Sequence, residues 1–97
     1  MTISSDRKAV ITGGASGFGL EIARRLSRLG TRVAIVDRSP QNLARASHEL
    51  GPGVLALEAD VRSRSEVRLA IDKAVTTFGG LDTLVISAGV IHIKPLI

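Results

Sequence analysis

The sequence predicts an α/β domain on a doubly wound parallel sheet in the order βαβαβαβ, and three observations carry that expectation. Four apolar runs, Ala9–Ile11, Val33–Val36, Val54–Leu57 and Leu84–Ile86, do not alternate with polar residues, which is the habit of parallel strands covered on both faces. Three stretches with apolar residues at helical spacing separate them. Capping and turn residues fall at the boundaries, and right-handed crossovers over one sheet leave the doubly wound arrangement as the economical solution.

In chain order, the first strand ends at Thr12 and enters the turn of "VITGGASGFGLEIARRL", Val10 to Leu26, from which a helix starts near Phe18 with the stripe Ile22, Ala23, Leu26 and Leu29. The second helix opens with Ser39 as N-cap and Pro40 preset at the first helical position, and its stripe is Leu43, Ala46 and Leu50. Ser63 and Glu66 have the spacing of a capping box before the third stripe, Val67, Ala70, Ile71, Ala74, Val75 and Phe78. Gly30, Gly51 and Gly79 follow the three helix ends. The final residues, "VIHIKPLI", have no cap, charged tail or closing element, so residues 1–97 are expected to be the N-terminal part of one domain, stopping after the fourth strand. Leu84–Ile86, central in a complete sheet, would then be an unprotected edge.

Composition excludes several classes. The chain is apolar enough for a core and has the length of one small domain, which buries roughly 60–65% of its extendable surface. Without cysteine there are no disulfides or thiolate metal sites, and a reducing, cytoplasmic setting is expected. The polar start Met1–Lys8 is not a signal peptide, and no run approaches the ~20 apolar residues of a membrane span. The net charge of +4 invites a nucleic-acid reading, but Arg24, Arg25, Arg28, Arg32, Arg62, Arg64 and Arg68 fall mostly on expected solvent faces of helices, with no aromatic residues placed for base stacking. His48 and His92 lack metal-ligand spacing, and no G-K-[ST] follows the glycines as in a nucleoside-triphosphate loop.

The glycine turn is where chemistry is expected. A strand running into a helix leaves the first helical N–H groups unpaired, and these attract anions when no Cβ blocks the approach. Gly13, Gly17 and Gly19 stand where tight turning, ligand approach and helix–strand packing would need glycine, so a pyrophosphate is the expected guest. The spacing is G-x-x-x-G-x-G rather than G-x-G-x-x-G, and a purely structural turn remains the alternative. Asp37 ends the second strand about 20 residues further on, where a carboxylate can accept ribose hydroxyls or simply cap a helix.

These residues resemble the short-chain dehydrogenase/reductase family. "TGGASGFG", Thr12 to Gly19, matches its T-G-x-x-x-G-x-G turn; Asp60–Val61 looks like the pair that meets adenine, and "SAG", Ser87 to Gly89, resembles its N-A-G. The resemblance implies a Rossmann-type fold and a role for each matching position. Gly13, Ser16, Gly17, Phe18 and Gly19 would surround the phosphates and the adenosine ribose, with Asp37 on that ribose. Asp60 would hold the adenine amino group, Val61 would offer a backbone contact, and Ala88 with Gly89 would lie under the cofactor. Ser87 replaces the usual Asn, which puts the bracing of the central sheet in doubt. For Asp60, an acid stabilised by the dipole of the following helix is the other reading.

Asp37 favours NAD over NADP, because a carboxylate ~5 Å from a 2′-phosphate costs on the order of 3 kcal/mol per phosphate charge at an effective dielectric of ~20. Arg38 opposes this, since a guanidinium grips phosphate bidentately, whereas Ser16 stands where NADP-preferring relatives often carry a basic residue. Hydride transfer in the resembled family needs Ser, Tyr and Lys beyond the fourth strand. This chain has no tyrosine and Lys94 has no such partner, so it is expected to bind a dinucleotide but not to turn over an alcohol or carbonyl substrate by itself. His92 is read as a solvated or packing residue. The resemblance further implies a homo-oligomer at full length. A non-catalytic nucleotide-binding or interaction module and an S-adenosylmethionine-dependent methyltransferase are the competing readings.

Overall fold

A computed structural model describes residues 7–86 and the backbone of residues 89–92. Its elements are β1 (Lys8–Thr12), α1 (Gly17–Arg28), β2 (Arg32–Asp37), α2 (Pro40–Leu50), β3 (Leu55–Glu58), α3 (Arg64–Phe78), β4 (Thr83–Ile86) and β5 (Gly89–His92). They form one sheet in the order β3-β2-β1-β4-β5. The first four strands are parallel, with Ile11 opposite both Ile35 and Val85. The chain therefore leaves β1 in one direction and returns to its other side at β4, so the strand order reverses above the C-terminal ends of these two strands.

Alternation along the strands sends side chains to two separate cores. Val10, Ala34, Val36 and Leu57 pack against Ala70, Ala74 and Phe78 of α3. Ile11, Val33, Ile35 and Val85 pack on the opposite face against Ala23 of α1 and Leu43 and Ala46 of α2. Continuous apolar runs follow from this two-sided burial in β1 and β2.

Several expectations change. β3 is not covered on both faces: it is the outer strand, and Ala56 and Glu58 are exposed. The stripe of α1 is shifted, because Leu29 is the C-cap and 55% exposed while Leu20 packs with Ile22 and Leu26. The edge of β4 is not open: β5 pairs with it antiparallel, from Ile86↔Gly89 to Thr83↔His92, supplying partners to backbone groups that a bare parallel edge would leave to solvent.

Helix ends follow the capping residues. Ser39 Oγ accepts the Asn42 N–H at 3.2 Å and Ser63 Oγ accepts the Glu66 N–H at 3.3 Å. Only half of the expected capping box forms, since Glu66 Oε1 accepts from the Asp60 N–H at 3.0 Å instead of from Ser63. Arg24 joins α1 to α2 by donating to Glu49, with Nε at 2.9 Å, and also pairs with Glu21. Asp82 ties β4 to β1: its carboxylate accepts the Lys8 N–H at 2.7 Å and its own N–H donates to Lys8 O at 2.9 Å.

Phe78 closes the α3 core, and the Arg32 guanidinium lies 5.1 Å from its ring centroid. Truncation Phe78→Ala is expected to lower the unfolding free energy by about 3 kcal/mol. A urea titration that returns a loss below about 1 kcal/mol would contradict this packing.

Candidate functional site

The turn between β1 and α1 is built by glycines with different physical reasons. A Cβ on Gly19 would lie 2.3 Å from the Gly13 carbonyl oxygen, and one on Gly14 would meet Ile35 Cγ2 at 2.8 Å and Ile11 O at 2.9 Å. These two positions exclude side chains because the protein's own atoms are there. Gly17 differs: its φ is +57° and nothing stands within 4 Å of where its Cβ would be. The space beside Gly17 is open, and so is that beside Gly13, with φ of +68°.

Hydrogen bonds separate the turn amides into used and unused groups. Gly13 N–H donates to Val36 O at 2.7 Å, which fastens the turn to β2, and the first bond of α1 runs from Leu20 N–H to Ser16 O. Ser16 is the extended N-cap, but its side chain makes no capping bond. Among the described residues, the N–H groups of Gly17, Phe18 and Gly19 therefore have no protein acceptor. In α2 and α3 a serine hydroxyl accepts one early N–H, whereas α1 has no side-chain cap at its positive end.

Two cavities meet at Gly13. One, of about 210 Å³, is lined by Thr12, Gly13, Ser16, Phe18, Gly19 and Ile22, with Val85 and Ile86 of β4. The other, of about 180 Å³, is lined by Gly13, Asp37, Arg38, Ala59 and Val61. The first lies where the strand order reverses between β1 and β4, and the second over the ends of β1, β2 and β3. A more open groove of about 510 Å³ runs along α3 over Val61, Val67 and Ile71, rimmed by Arg62, Arg64 and Arg68, but the turn glycines take no part in it.

Asp37 lies at the end of β2, and its Oδ1 accepts the Ser39 N–H at 3.1 Å, so it shapes the turn into α2 with one oxygen. Asp60 follows β3, between Ala59 and Val61 of the cavity wall. Its Oδ1 accepts from Arg62 N–H at 2.9 Å and Arg62 Nε at 3.2 Å, while Oδ2 accepts from Arg62 Nη2 at 2.9 Å. Hydrogen bonds from the Arg62 side chain, then its backbone N–H, with weaker help from the charges of Arg62 and Arg38, bring the Asp60 carboxyl from 3.8 to about 2. It is thus an anion throughout the neutral range.

Phe18 is 81% exposed at the start of α1. Gly89 is placed in β5 opposite Ile86, whereas Ser87 and Ala88 lie outside the described residues. Lys94 also lies outside them; His92 is the last residue of β5. Sequence reasoning gave no role at the site to Gly14 or Thr12 and grouped Arg62 with solvent-facing helical arginines, whereas Arg62 precedes α3. Thr12 is buried and its hydroxyl donates to Val85 O at 3.3 Å, joining β1 to β4 at the mouth of the site. Its place as the first fixed residue of the turn motif was the available signal; nothing comparable marked Arg62.

The model of the family described as short chain dehydrogenase matches residues 7–97. The chain belongs to this family. Over 81 residues it is 40% identical to a cis-2,3-dihydrobiphenyl-2,3-diol dehydrogenase of Paraburkholderia xenovorans, covering 84% of this chain and 29% of that protein. It is 38% identical over 92 residues to a cis-4-hydroxycyclohexanecarboxylate dehydrogenase of Sinomonas cyclohexanicum, covering 93% and 37% respectively. Among solved structures it is similar to a 3-ketoacyl-(acyl-carrier-protein) reductase from Brucella melitensis complexed with NADH. The TM-score is 0.76 at 38% identity, over 80% of this chain and 32% of that one. This short-chain dehydrogenase chain spans about a third of the length of the relatives it matches.

Its glycines make separable predictions. Gly19→Ala is expected to unfold the turn or to cost several-fold more stability than Gly17→Ala, whose penalty of about 1–2 kcal/mol comes only from the left-handed backbone. Equal losses in thermal or urea denaturation would contradict the Gly13–Gly19 contact. Separately, carboxyl carbon shifts should show Asp60 titrating at about 2 and moving back toward 3.8 in Arg62→Ala.

Proposed function

We propose that this chain is the NAD-binding half of a short-chain dehydrogenase or reductase that transfers hydride between the nicotinamide and an alcohol or carbonyl compound. The observation that carries the reading is the row of amides at Gly17, Phe18 and Gly19 without a protein acceptor among the described residues, in a turn whose Gly13 lines two cavities and whose Gly17 has open space beside it. A pyrophosphate needs donors without a blocking Cβ, and the two cavities give its nucleosides a place on either side. Family membership supports the same reading, as does the bound NADH of the Brucella reductase.

Gly13, Ser16, Gly17, Phe18 and Gly19 then surround the phosphates and adenosine ribose. Asp37 takes the ribose hydroxyls with Oδ2, which has no partner among the described residues. Asp60 accepts the adenine amino group, Val61 adds a backbone contact, and Ser87, Ala88 and Gly89 belong beneath the cofactor. NAD is the preferred form: Asp37 opposes a 2′-phosphate and Ser16 brings no positive charge to the turn, against which stands only Arg38 on the same cavity wall. When bound, the cofactor supplies the hydride chemistry; these residues hold and orient it.

The chain has no tyrosine, and proton transfer in the resembled family falls to one, so the chain by itself is inactive. Full activity, a homo-oligomeric state and a cytoplasmic setting belong to the proposal for the whole protein. Among the described residues, no helix is long and apolar enough to cross a membrane. A binding module without catalysis is the second reading, favoured by the missing tyrosine alone.

Calorimetric titration tests the assignment. NAD is expected to bind at least about tenfold more tightly than NADP, and Asp37→Ala to weaken NAD more than NADP. Equal losses for the two, or no binding of either by the unaltered chain, would overturn it.

A further inference from the structure

The geometry points to Arg62 as a positioning residue that fixes the Asp60 carboxylate so that its one remaining acceptor site reads the amino group of adenine. The inference rests on the NAD-binding reading above and deepens it. A carboxylate offers about four acceptor sites on its two oxygens. Arg62 occupies three of them: its N–H and Nε both reach Oδ1, and Nη2 reaches Oδ2. The fourth, on Oδ2, is left for a donor from outside.

Both ends of Asp60 are restrained. Its N–H donates to Glu66 Oε1 at 3.0 Å and its carbonyl accepts the Ser63 N–H at 2.9 Å, which ties the backbone to the start of α3. The fork from Arg62 removes the remaining side-chain rotation. Asp60 stands in the chain between Ala59 and Val61, which line the cavity shared with Asp37, and its part in meeting adenine is taken from the reading above. Its own side chain keeps 29% exposure and is accessible to a ligand, whereas Arg62 is 76% exposed and carries no core packing.

An ionised carboxylate accepts and never donates. It therefore favours an exocyclic amino group and rejects a carbonyl at the same ring position. The probes are NADH and its hypoxanthine analogue, in which a carbonyl oxygen replaces the adenine amino group, titrated calorimetrically against the 97-residue chain. The unaltered chain should prefer NADH by on the order of tenfold, the worth of one hydrogen bond to a charged group. Arg62→Ala should reduce that preference about threefold or more, while far-UV circular dichroism stays unchanged. Arg62→Lys keeps the charge but cannot make the fork, and should fall with Arg62→Ala rather than with the unaltered chain.

Preference retained in full by Arg62→Ala would overturn the positioning role while leaving the cofactor reading intact. So would a preference that rises, because Arg62 would then be competing with adenine for the carboxylate. Wild-type behaviour in Arg62→Lys would replace the fork by charge alone and likewise overturn it. If the unaltered chain does not discriminate, and Asp60→Asn changes nothing, the adenine contact itself fails; if neither dinucleotide binds, the reading beneath it fails as well.

Discussion

The backbone of Gly19 lies so close to the carbonyl of Gly13 that a single methyl group would be at 2.3 Å from the oxygen. This contact brings the first turn of α1 down onto the end of β1, and the direction of the helix follows from it. Were the helix lifted away, the amides of Gly17, Phe18 and Gly19 would move away from the cavity that Gly13 and Gly19 line. Gly14 serves the same end by letting the turn sit against Ile35 and Ile11. The site is thus a by-product of dense packing within the turn.

What distinguishes this helix end from the others is what it lacks. In α2 and α3 a serine hydroxyl accepts one early amide, that of Asn42 and of Glu66 respectively. Ser16 sits in the equivalent place with extended backbone, yet its hydroxyl caps nothing. A ligand with anionic oxygens can do for α1 what serine does for its neighbours, and the dipole of a 12-residue helix adds to the attraction.

Much of this was legible in the residues. Unbroken apolar runs marked β1 and β2 because both faces of those strands are buried, and Ser39, Pro40 and Ser63 marked two helix starts through bonds made within a few residues. β3 was placed but its burial was misjudged, since a run such as Val54–Leu57 looks the same at an edge as in the middle. β5 was not foreseen: four residues carry little periodicity, and its pairing depends on the neighbouring strand. At the site, glycine spacing revealed the turn, but the reason for each glycine lies in contacts such as Gly14 with Ile35, which sequence distance conceals. The grip of Arg62 on Asp60 was equally hidden, because an arginine two residues from an acid on an exposed loop is ordinarily just two charges in water.

The position of β1 has a consequence for how the molecule comes to exist. Of these five strands the first in the chain is the middle one of the sheet, and the bond from Lys8 to Asp82 joins residues 74 apart. Until β4 has been synthesised, one side of β1 has no neighbour and Thr12 has no carbonyl of Val85 to meet. During translation the cavity between β1 and β4 therefore cannot form until β4 has emerged, and until then one side of β1 carries an unsatisfied ladder with which other polypeptides can pair.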